Sequence, residues 1–180
     1  MILQGDVRAQ AEEIVGRYPD QRSALLPLLY LVQSQVGHVS REGMQEVGEL
    51  LGLTTAEVEA VATFYTMFRK EPTGRWLVSV CTNVSCALVG ARKVHEAADA
   101  AIGEDPETFT LEEVECLGAC DAAPVVQVNY CSYDRVSVER VGELIEALRS
   151  GEVPAPSRGP APVPHAETSR ILAGLGDDRG

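Results

Sequence analysis

The spacing of apolar residues divides the chain into a helical first part and a mixed second part. Up to residue 71 the apolar positions recur at helical intervals, as in the leucine-rich block of residues 25–32 around Pro27. Pro72 and Gly74 then interrupt the pattern, and the apolar runs that follow are of strand length. The pattern therefore predicts a helical bundle over residues 1–72 and an α/β domain over residues 73–150.

Capping residues predict where the helices of the first part begin and end. Ser40 is a suitable N-cap for a helix that runs to Leu51, and Gly52 suits a left-handed C-cap. The next helix should begin with a capping box, because Thr54 is followed three residues later by Glu57. Apolar residues at helical spacing extend this helix to Phe68.

The second part alternates between strand-like and helix-like segments. An ordered series of elements is predicted, with strands at residues 76–81, 109–115, 125–128 and 133–136, and helices at residues 86–102 and 138–150. Pro124 precedes the third strand, and we hypothesise that the Ala123–Pro124 bond is cis.

The last thirty residues have a different composition from the rest. Residues 151–180 contain five of the ten prolines, and their few apolar residues cannot bury enough surface to fold alone. We therefore predict a proline-rich, flexible tail.

Charge and hydropathy exclude several classes of protein. The net charge of −12 argues against a nucleic-acid partner, because phosphate contacts require clustered Lys and Arg. The longest apolar run, residues 24–32, is interrupted by Pro27 and is shorter than the ~20 residues that span a bilayer. The first residues do not resemble a secretory signal. We expect a cytoplasmic protein without direct membrane insertion, in which cysteines serve as ligands or redox groups.

Four cysteines in two close pairs carry the candidate chemistry. Four residues separate Cys81 from Cys86, and three residues separate Cys116 from Cys120. These gaps are wider than the two-residue gap typical of zinc knuckles, and they favour an iron–sulfur cluster. A structural zinc site, two redox-active disulfides and four buried inert thiols remain as alternatives. Cys131 is left over and is interpreted as a lone packed thiol.

The residues around these cysteines predict the electrostatics of the site. A helix beginning near Cys86 would lower the pKa of its thiol through the positive end of the helix dipole. Glu112, Glu113, Glu115 and Asp121 surround the second pair, and residues 94–134 contain no Lys or Arg. Because negative charge opposes the addition of an electron, we expect a low reduction potential for a cluster at this site.

A longer pattern identifies a family. Residues 114–129, which read VECLGACDAAPVVQVN, together with the first cysteine pair and residues 60–68 (AVATFYTMF), resemble the thioredoxin-like [2Fe–2S] subunit of NADH:quinone oxidoreductase, respiratory complex I. The similarity covers residues 17–150. It implies an α/β fold in which a helical bundle precedes a thioredoxin-like ferredoxin domain. It also implies that the cluster is bound by Cys81, Cys86, Cys116 and Cys120.

The resemblance also implies an assembly. The family pairs with a larger subunit that binds FMN and NADH, beside further subunits of the peripheral arm, at the inner face of the cell membrane. This chain would carry electrons for an NADH dehydrogenase without catalysing the reaction alone, and it lacks a dinucleotide fingerprint of its own.

Two other functions remain open at the level of the sequence. Related subunits serve NAD-linked hydrogenases and formate dehydrogenases, and the quoted motifs do not separate these enzymes. A zinc-stabilised, non-redox assembly subunit is the alternative from another class. The three histidines, His38, His95 and His165, are scattered and are expected at the surface or at helix caps.

Overall fold

A computed structural model describes residues 1–176 and divides the chain into two compact units. Unit 1 comprises Met1–Pro72 together with the chain from His165 onward, and unit 2 comprises Thr73–Pro164. Among the described residues, no helix combines the length and the apolar character needed to cross a lipid bilayer.

Unit 1 is built from helices. Its α-helices are α1 (Asp6–Gly16), α2 (Leu25–Val36), α3 (Arg41–Leu51), α4 (Thr55–Phe64) and α8 (His165–Leu172), with a 3₁₀ turn at Gln21–Ala24 before α2. Pro27 lies in the first turn of α2, where its missing N–H leaves no hydrogen bond unmade.

The predicted caps of α3 and α4 are confirmed. The Ser40 hydroxyl accepts a hydrogen bond from the Gly43 N–H at 3.1 Å, and Gly52 has a left-handed φ of 67°. Thr54 and Glu57 form the reciprocal capping box. However, α4 ends at Phe64 rather than Phe68, and Phe68 packs into the core from the loop beyond it.

The core of unit 1 is centred on α2. Its buried face includes Leu28, Leu29 and Val32, and its buried amide, Gln33, is fully bonded. The Gln33 side chain donates to the Met67 carbonyl at 3.3 Å and to the Ser169 hydroxyl at 3.2 Å, and it accepts from the Arg69 N–H at 2.8 Å. Helix α8 thus packs on α2 and completes the bundle.

The prediction of a flexible tail is wrong for most of residues 151–176. The Ser157 N–H donates to the Ser132 carbonyl at 2.8 Å, and the Tyr133 hydroxyl donates to the Pro154 carbonyl at 2.7 Å. Beyond Pro164, helix α8 belongs to unit 1. Residues 151–164 are part of unit 2, where these hydrogen bonds hold them against β4. Residues 177–180 lie outside the described part.

Unit 2 contains a four-stranded sheet in the order β2-β1-β3-β4. The strands are β1 (Trp76–Cys81), β2 (Phe109–Val114), β3 (Val126–Val128) and β4 (Cys131–Tyr133), and the helices are α5 (Val84–Leu88), α6 (Ala91–Ile102) and α7 (Val138–Ser150). Strand β1 pairs with β2 in parallel and with β3 antiparallel, and β3 pairs with β4 antiparallel. Helices α6 and α7 pack against Trp76, Val78 and Val80 on one face of β1.

Two elements of unit 2 differ from the prediction. The single helix expected from Cys86 is divided into α5 and α6, because Gly90 adopts a left-handed φ of 95° between them. Strand β4 begins earlier than expected, because Asn129 and Tyr130 both take positive φ values in a tight turn and β4 follows at once. The Ala123–Pro124 bond is cis, as hypothesised.

Candidate functional site

The first cysteine lies at the carboxyl end of the central strand. Cys81 is the last residue of β1 and is opposite Val114, the last residue of the parallel strand β2. The Cys81 N–H donates to the Val125 carbonyl at 3.1 Å, and the Cys81 sulfur lies 3.3 Å from the Glu115 carbonyl oxygen. Because parallel strands end at one edge of the sheet, the loop with the second cysteine pair begins beside Cys81.

The second cysteine of the first pair is held by the short helix α5. Asn83 caps this helix by accepting from the Val84 N–H at 2.6 Å, and this turns the chain back over the end of β1. Cys86 is buried in the middle of α5 and belongs to the same small buried cluster as Cys81 and Val125. Both residues of the first pair are therefore shielded from solvent.

The second pair occupies the loop after β2 and is exposed. The Cys116 and Cys120 sulfurs are 3.9 Å apart. Gly118 turns the loop with a φ of 71°, and its N–H lies 3.5 Å from the Cys116 sulfur. A glycine permits this backbone conformation without steric cost, so the loop can bring a backbone donor to a sulfur atom.

The two pairs lie near each other. Negative charge on Cys81 acts on both Cys86 and Cys120. Cys81 and Cys86 share a buried cluster with Ala119, the residue before Cys120, and with Ala91 and Val125; Val114, Leu117 and Ala123 lie at its border. The structure therefore brings the two predicted pairs to the same edge of the sheet.

One thiol of each pair, that of Cys86 and that of Cys120, has a raised pKa. Burial raises the pKa of Cys86 to about 11, and its hydrogen bond with Cys81 adds to the effect. The hydrogen bond that the Cys120 thiol donates to the Cys116 sulfur, followed by the negative charge of Cys116, raises the pKa of Cys120, although Ser85 acts in the opposite direction. The expectation that a helix end lowers the pKa of Cys86 is wrong, because α5 has only five residues and burial outweighs its dipole.

These sulfurs fit a cationic centre with two metal ions, each of which would be bound by one pair of thiolates. A cation would replace the thiol protons and offset the repulsion between thiolates. Among residues 1–176, no three His, Cys, Asp or Glu side chains gather in an arrangement that would hold one metal ion. The observed arrangement is instead two pairs, which is how four cysteines are shared between the two irons of a [2Fe–2S] cluster.

The other residues considered from the sequence lie elsewhere. Cys131 begins β4 opposite Val128, at the end of its strand that is remote from Cys81, and burial raises the pKa of its thiol. His95 lines a polar pocket with Thr82 and Glu113, and His38 lines a separate pocket of unit 1. His165 is buried at the first residue of α8, so of the two expected locations it lies at a helix end and not at the surface.

Sequence reasoning missed one feature of the site. Helix α5 buries Cys86 but exposes the apolar side chains of Val84 and Leu88, and Val89, the residue just after the helix, is exposed as well. The prediction of one continuous helix from Cys86 to Ile102 concealed this short helix. The glycine at position 90 was the signal in the sequence that the helix could be interrupted, and in the structure it adopts a left-handed conformation between α5 and α6.

Comparison with known proteins identifies relatives. The family described as thioredoxin-like [2Fe-2S] ferredoxin matches residues 11–149. A subunit of the NADH-quinone oxidoreductase of Mycobacterium tuberculosis is 47% identical over 179 residues, which cover 96% of this chain and 71% of the relative. NADH-quinone oxidoreductase subunit 2 of Thermus thermophilus is 37% identical over 150 residues, covering 78% of this chain and 83% of the relative.

A solved structure shares the fold. The crystal structure of an NAD+-reducing [NiFe]-hydrogenase in its H2-reduced state aligns with a TM-score of 0.60 and 23% identity, over 70% of this chain and 22% of the hydrogenase chain. At this level of identity the likeness concerns the fold alone. The expected helical segment followed by a thioredoxin-like domain is confirmed.

Proposed function

Because the chain belongs to the thioredoxin-like [2Fe–2S] ferredoxin family, we propose that it is the electron-transfer subunit of an NADH:quinone oxidoreductase and carries one [2Fe–2S] cluster. The observation that supports the proposal is that two close cysteine pairs, one buried and one on the loop after β2, lie at the same edge of the sheet. Two relatives of different origin, at 47% and 37% identity, bear the name of a subunit of this enzyme.

The ligands in this proposal are Cys81, Cys86, Cys116 and Cys120. The bound cluster supplies a site that stores a single electron. The chain itself supplies hydrogen bonds that offset the negative charge of the thiolates. The Gly118 N–H is directed at the sulfur of Cys116, at 3.5 Å. The backbone of Val125 and the side chain of Ser85 act to lower the pKa values of Cys86 and Cys120, respectively, which favours their thiolate forms.

The partner in this proposal is the subunit that binds FMN and NADH. Hydride chemistry takes place on that partner, and this chain exchanges single electrons with it. Further peripheral-arm subunits complete the assembly at the cytoplasmic face of the membrane. In this proposal, residues 73–150 form the domain that binds the cluster. Residues 1–72 form a helical domain that serves assembly.

Purification of the native complex tests the proposal. Affinity-tagged chain, isolated anaerobically from its own organism, should be brown-red, should bleach on reduction, and should bring down a flavin-binding chain that mass spectrometry identifies. A hydrogenase or formate dehydrogenase catalytic chain among the companions would assign the subunit to that enzyme instead. A colourless, zinc-containing preparation would support the assembly subunit and contradict electron transfer.

A further inference from the structure

Among residues 1–176, the sheet of unit 2 ends in two edge strands, β2 and β4, which differ in charge. Strand β2 carries Glu112 and Glu113, whereas β4 (Cys131–Tyr133) has no charged side chain. Charged side chains on an edge strand hinder its pairing with a strand of another chain. The free edge of β4 lacks this protection and depends on what covers it.

Residues 154–158, which we call the edge segment, lie along the free edge of β4. The Ser157 N–H donates to the Ser132 carbonyl at 2.8 Å, and the Ser157 hydroxyl accepts from the Asp134 N–H at 2.8 Å. In an antiparallel pair, the main-chain groups of successive residues point alternately toward the partner strand and away from it. Ser157 therefore occupies main-chain groups of β4, and of the residue after it, that point away from β3.

Side chains hold the edge segment at both of its ends. The Tyr133 hydroxyl donates to the Pro154 carbonyl at 2.7 Å. The Arg158 guanidinium donates to the Asp134 carboxylate at 2.7 Å, and only 18% of the Asp134 side chain is exposed. Together with the hydrogen bonds of Ser157, these contacts bind the edge segment along its length.

The prolines of the edge segment make it a poor template for a further strand. Pro154 and Pro156 have no N–H, and the N–H of Ser157 is already bonded to β4. A strand that approached from outside would find a donor only at Ala155 among residues 154–157. Proline also restricts the unfolded chain, so less conformational entropy is lost when the segment is ordered against β4. Both effects suit a segment that covers an edge and ends the sheet.

We propose that the edge segment ends the sheet at β4 and thereby prevents β4 from pairing with β4 of a second copy of this chain. A two-fold axis at Ser132 would place two such strands antiparallel, the orientation that β3 and β4 already have. Side-chain charge at this edge does not oppose the contact, because Asp134 is followed by Arg135. The inference does not depend on the proposed function, since it concerns only the sheet and its cover.

Substitutions in the edge segment of the full chain test the inference. Ser157→Pro removes the N–H and the hydroxyl that bind β4, whereas Ser157→Ala removes the hydroxyl alone. The matched control is Ala155→Pro in the same segment. Ala155 is exposed and precedes Pro156, which already favours an extended backbone, and its N–H has no hydrogen-bond partner in the part of the chain that the structure describes.

Sedimentation equilibrium of the anaerobically purified chain is the measurement, in about 1 M salt, where a Debye length of about 3 Å screens the net charge of −12. We expect Ser157→Pro to form a dimer with a Kd at least about tenfold lower than that of the original chain, because the cover no longer competes for the edge. Ser157→Ala should lower the Kd less, and Ala155→Pro should remain within about twofold of the original chain.

Hydrogen exchange locates the contact. The Ser132 and Asp134 amides should exchange more slowly in the Ser157→Pro dimer than in the monomer of the same variant. A Ser157→Pro chain that associates no more than the original chain would overturn the inference, as would an equal effect of Ala155→Pro. Association that leaves exchange at these two amides unchanged would also overturn it, because the contact would lie elsewhere.

Ser157→Ala decides the question if circular dichroism shows that Ser157→Pro does not fold. This variant retains the main-chain bond to Ser132, and Ser157 is exposed, so the chain should fold. A lower dimer Kd, with slower exchange at Ser132 and Asp134 in the dimer, supports the inference. A dimer Kd equal to that of the original chain overturns it.

Discussion

Four sulfur atoms share one site but differ in exposure to solvent. Cys81 and Cys86 are buried, whereas Cys116 and Cys120 are exposed. The buried pair is fixed by the end of β1 and by α5, and the exposed pair is carried by a loop. A ligand on the loop can therefore be replaced with little effect on the fold, and this makes the exposed pair the better place to test the ligand set.

Substitution of one exposed cysteine should remove the cluster. We expect Cys116→Ser to lose most of its iron and acid-labile sulfide, because a serine oxygen is a poorer ligand for iron than a thiolate. Cys131→Ser is the matched control, since Cys131 lies on β4 away from the four sulfurs. Full cluster content in Cys116→Ser would remove Cys116 from the proposed ligands.

Acidic residues beside the site should lower its reduction potential. Glu115 is exposed and directly precedes Cys116, and Glu115→Gln removes one negative charge there. We expect the midpoint potential in an EPR-monitored titration to rise by roughly tens of millivolts, since water screens the charge. Glu152→Gln, which alters an exposed acid just beyond α7, should leave the potential unchanged; a fall in the Glu115→Gln potential would contradict the electrostatic argument.

At the scale of elements, local signals predicted helix ends better than helix contacts. Ser40, Gly52 and the Thr54–Glu57 box act through neighbours in sequence, so the sequence alone predicted them. Helix α8 escaped prediction because its eight residues are stabilised by contacts with α2, more than a hundred residues earlier in the chain.

In the candidate site, too, some features follow from the local sequence and others depend on the tertiary structure. The strand pattern predicted that both cysteine pairs follow strand ends, and the parallel strands β1 and β2 bring those ends to one edge of the sheet. The burial of Cys86 and the exposure of Leu88 depend on the turn at Gly90, which the apolar pattern did not reveal. The direction of the Cys86 pKa shift was mispredicted for this reason, since burial is a property of the tertiary structure.

Glycine-to-alanine substitutions in α3 and α1 should change the stability of unit 1 in opposite directions. Gly→Ala within a helix ordinarily stabilises by up to ~1 kcal/mol. At Gly48 a Cβ would lie 2.7 Å from the Leu53 carbonyl oxygen, so we expect Gly48→Ala to destabilise unit 1 by about 1–3 kcal/mol. Gly16→Ala, with no atom within 4 Å of the added Cβ, should be neutral or stabilising. Chemical denaturation measures both, and a stabilised Gly48→Ala would contradict the packing of α3.

Removal of α8 should loosen the core of unit 1. Truncation after Pro164 deprives Gln33 of the Ser169 hydroxyl and removes Ala173, which is buried. Hydrogen exchange should become faster along α2 in the truncated chain, because a buried amide loses a partner and apolar surface becomes exposed. Removal of residues 177–180 alone is the control; unchanged exchange along α2 after truncation at Pro164 would show that α8 does not support the bundle.

At the scale of the whole molecule, charge should govern how quickly the proposed complex forms. The net charge of −12 and the carboxylates near the second cysteine pair attract a partner with basic borders. We expect the association rate with the flavin-binding subunit to fall roughly tenfold between low and high salt, with a smaller change in the dissociation rate. An association rate that does not respond to salt would argue against electrostatic attraction between the two chains.

The central claim is that Cys81, Cys86, Cys116 and Cys120 together bind a pair of irons. Iron, zinc and acid-labile sulfide analysis of the anaerobically purified chain tests it most directly. We predict about two irons and two sulfides for each chain and no stoichiometric zinc. A single zinc per chain, or the absence of both iron and acid-labile sulfide, would contradict the account.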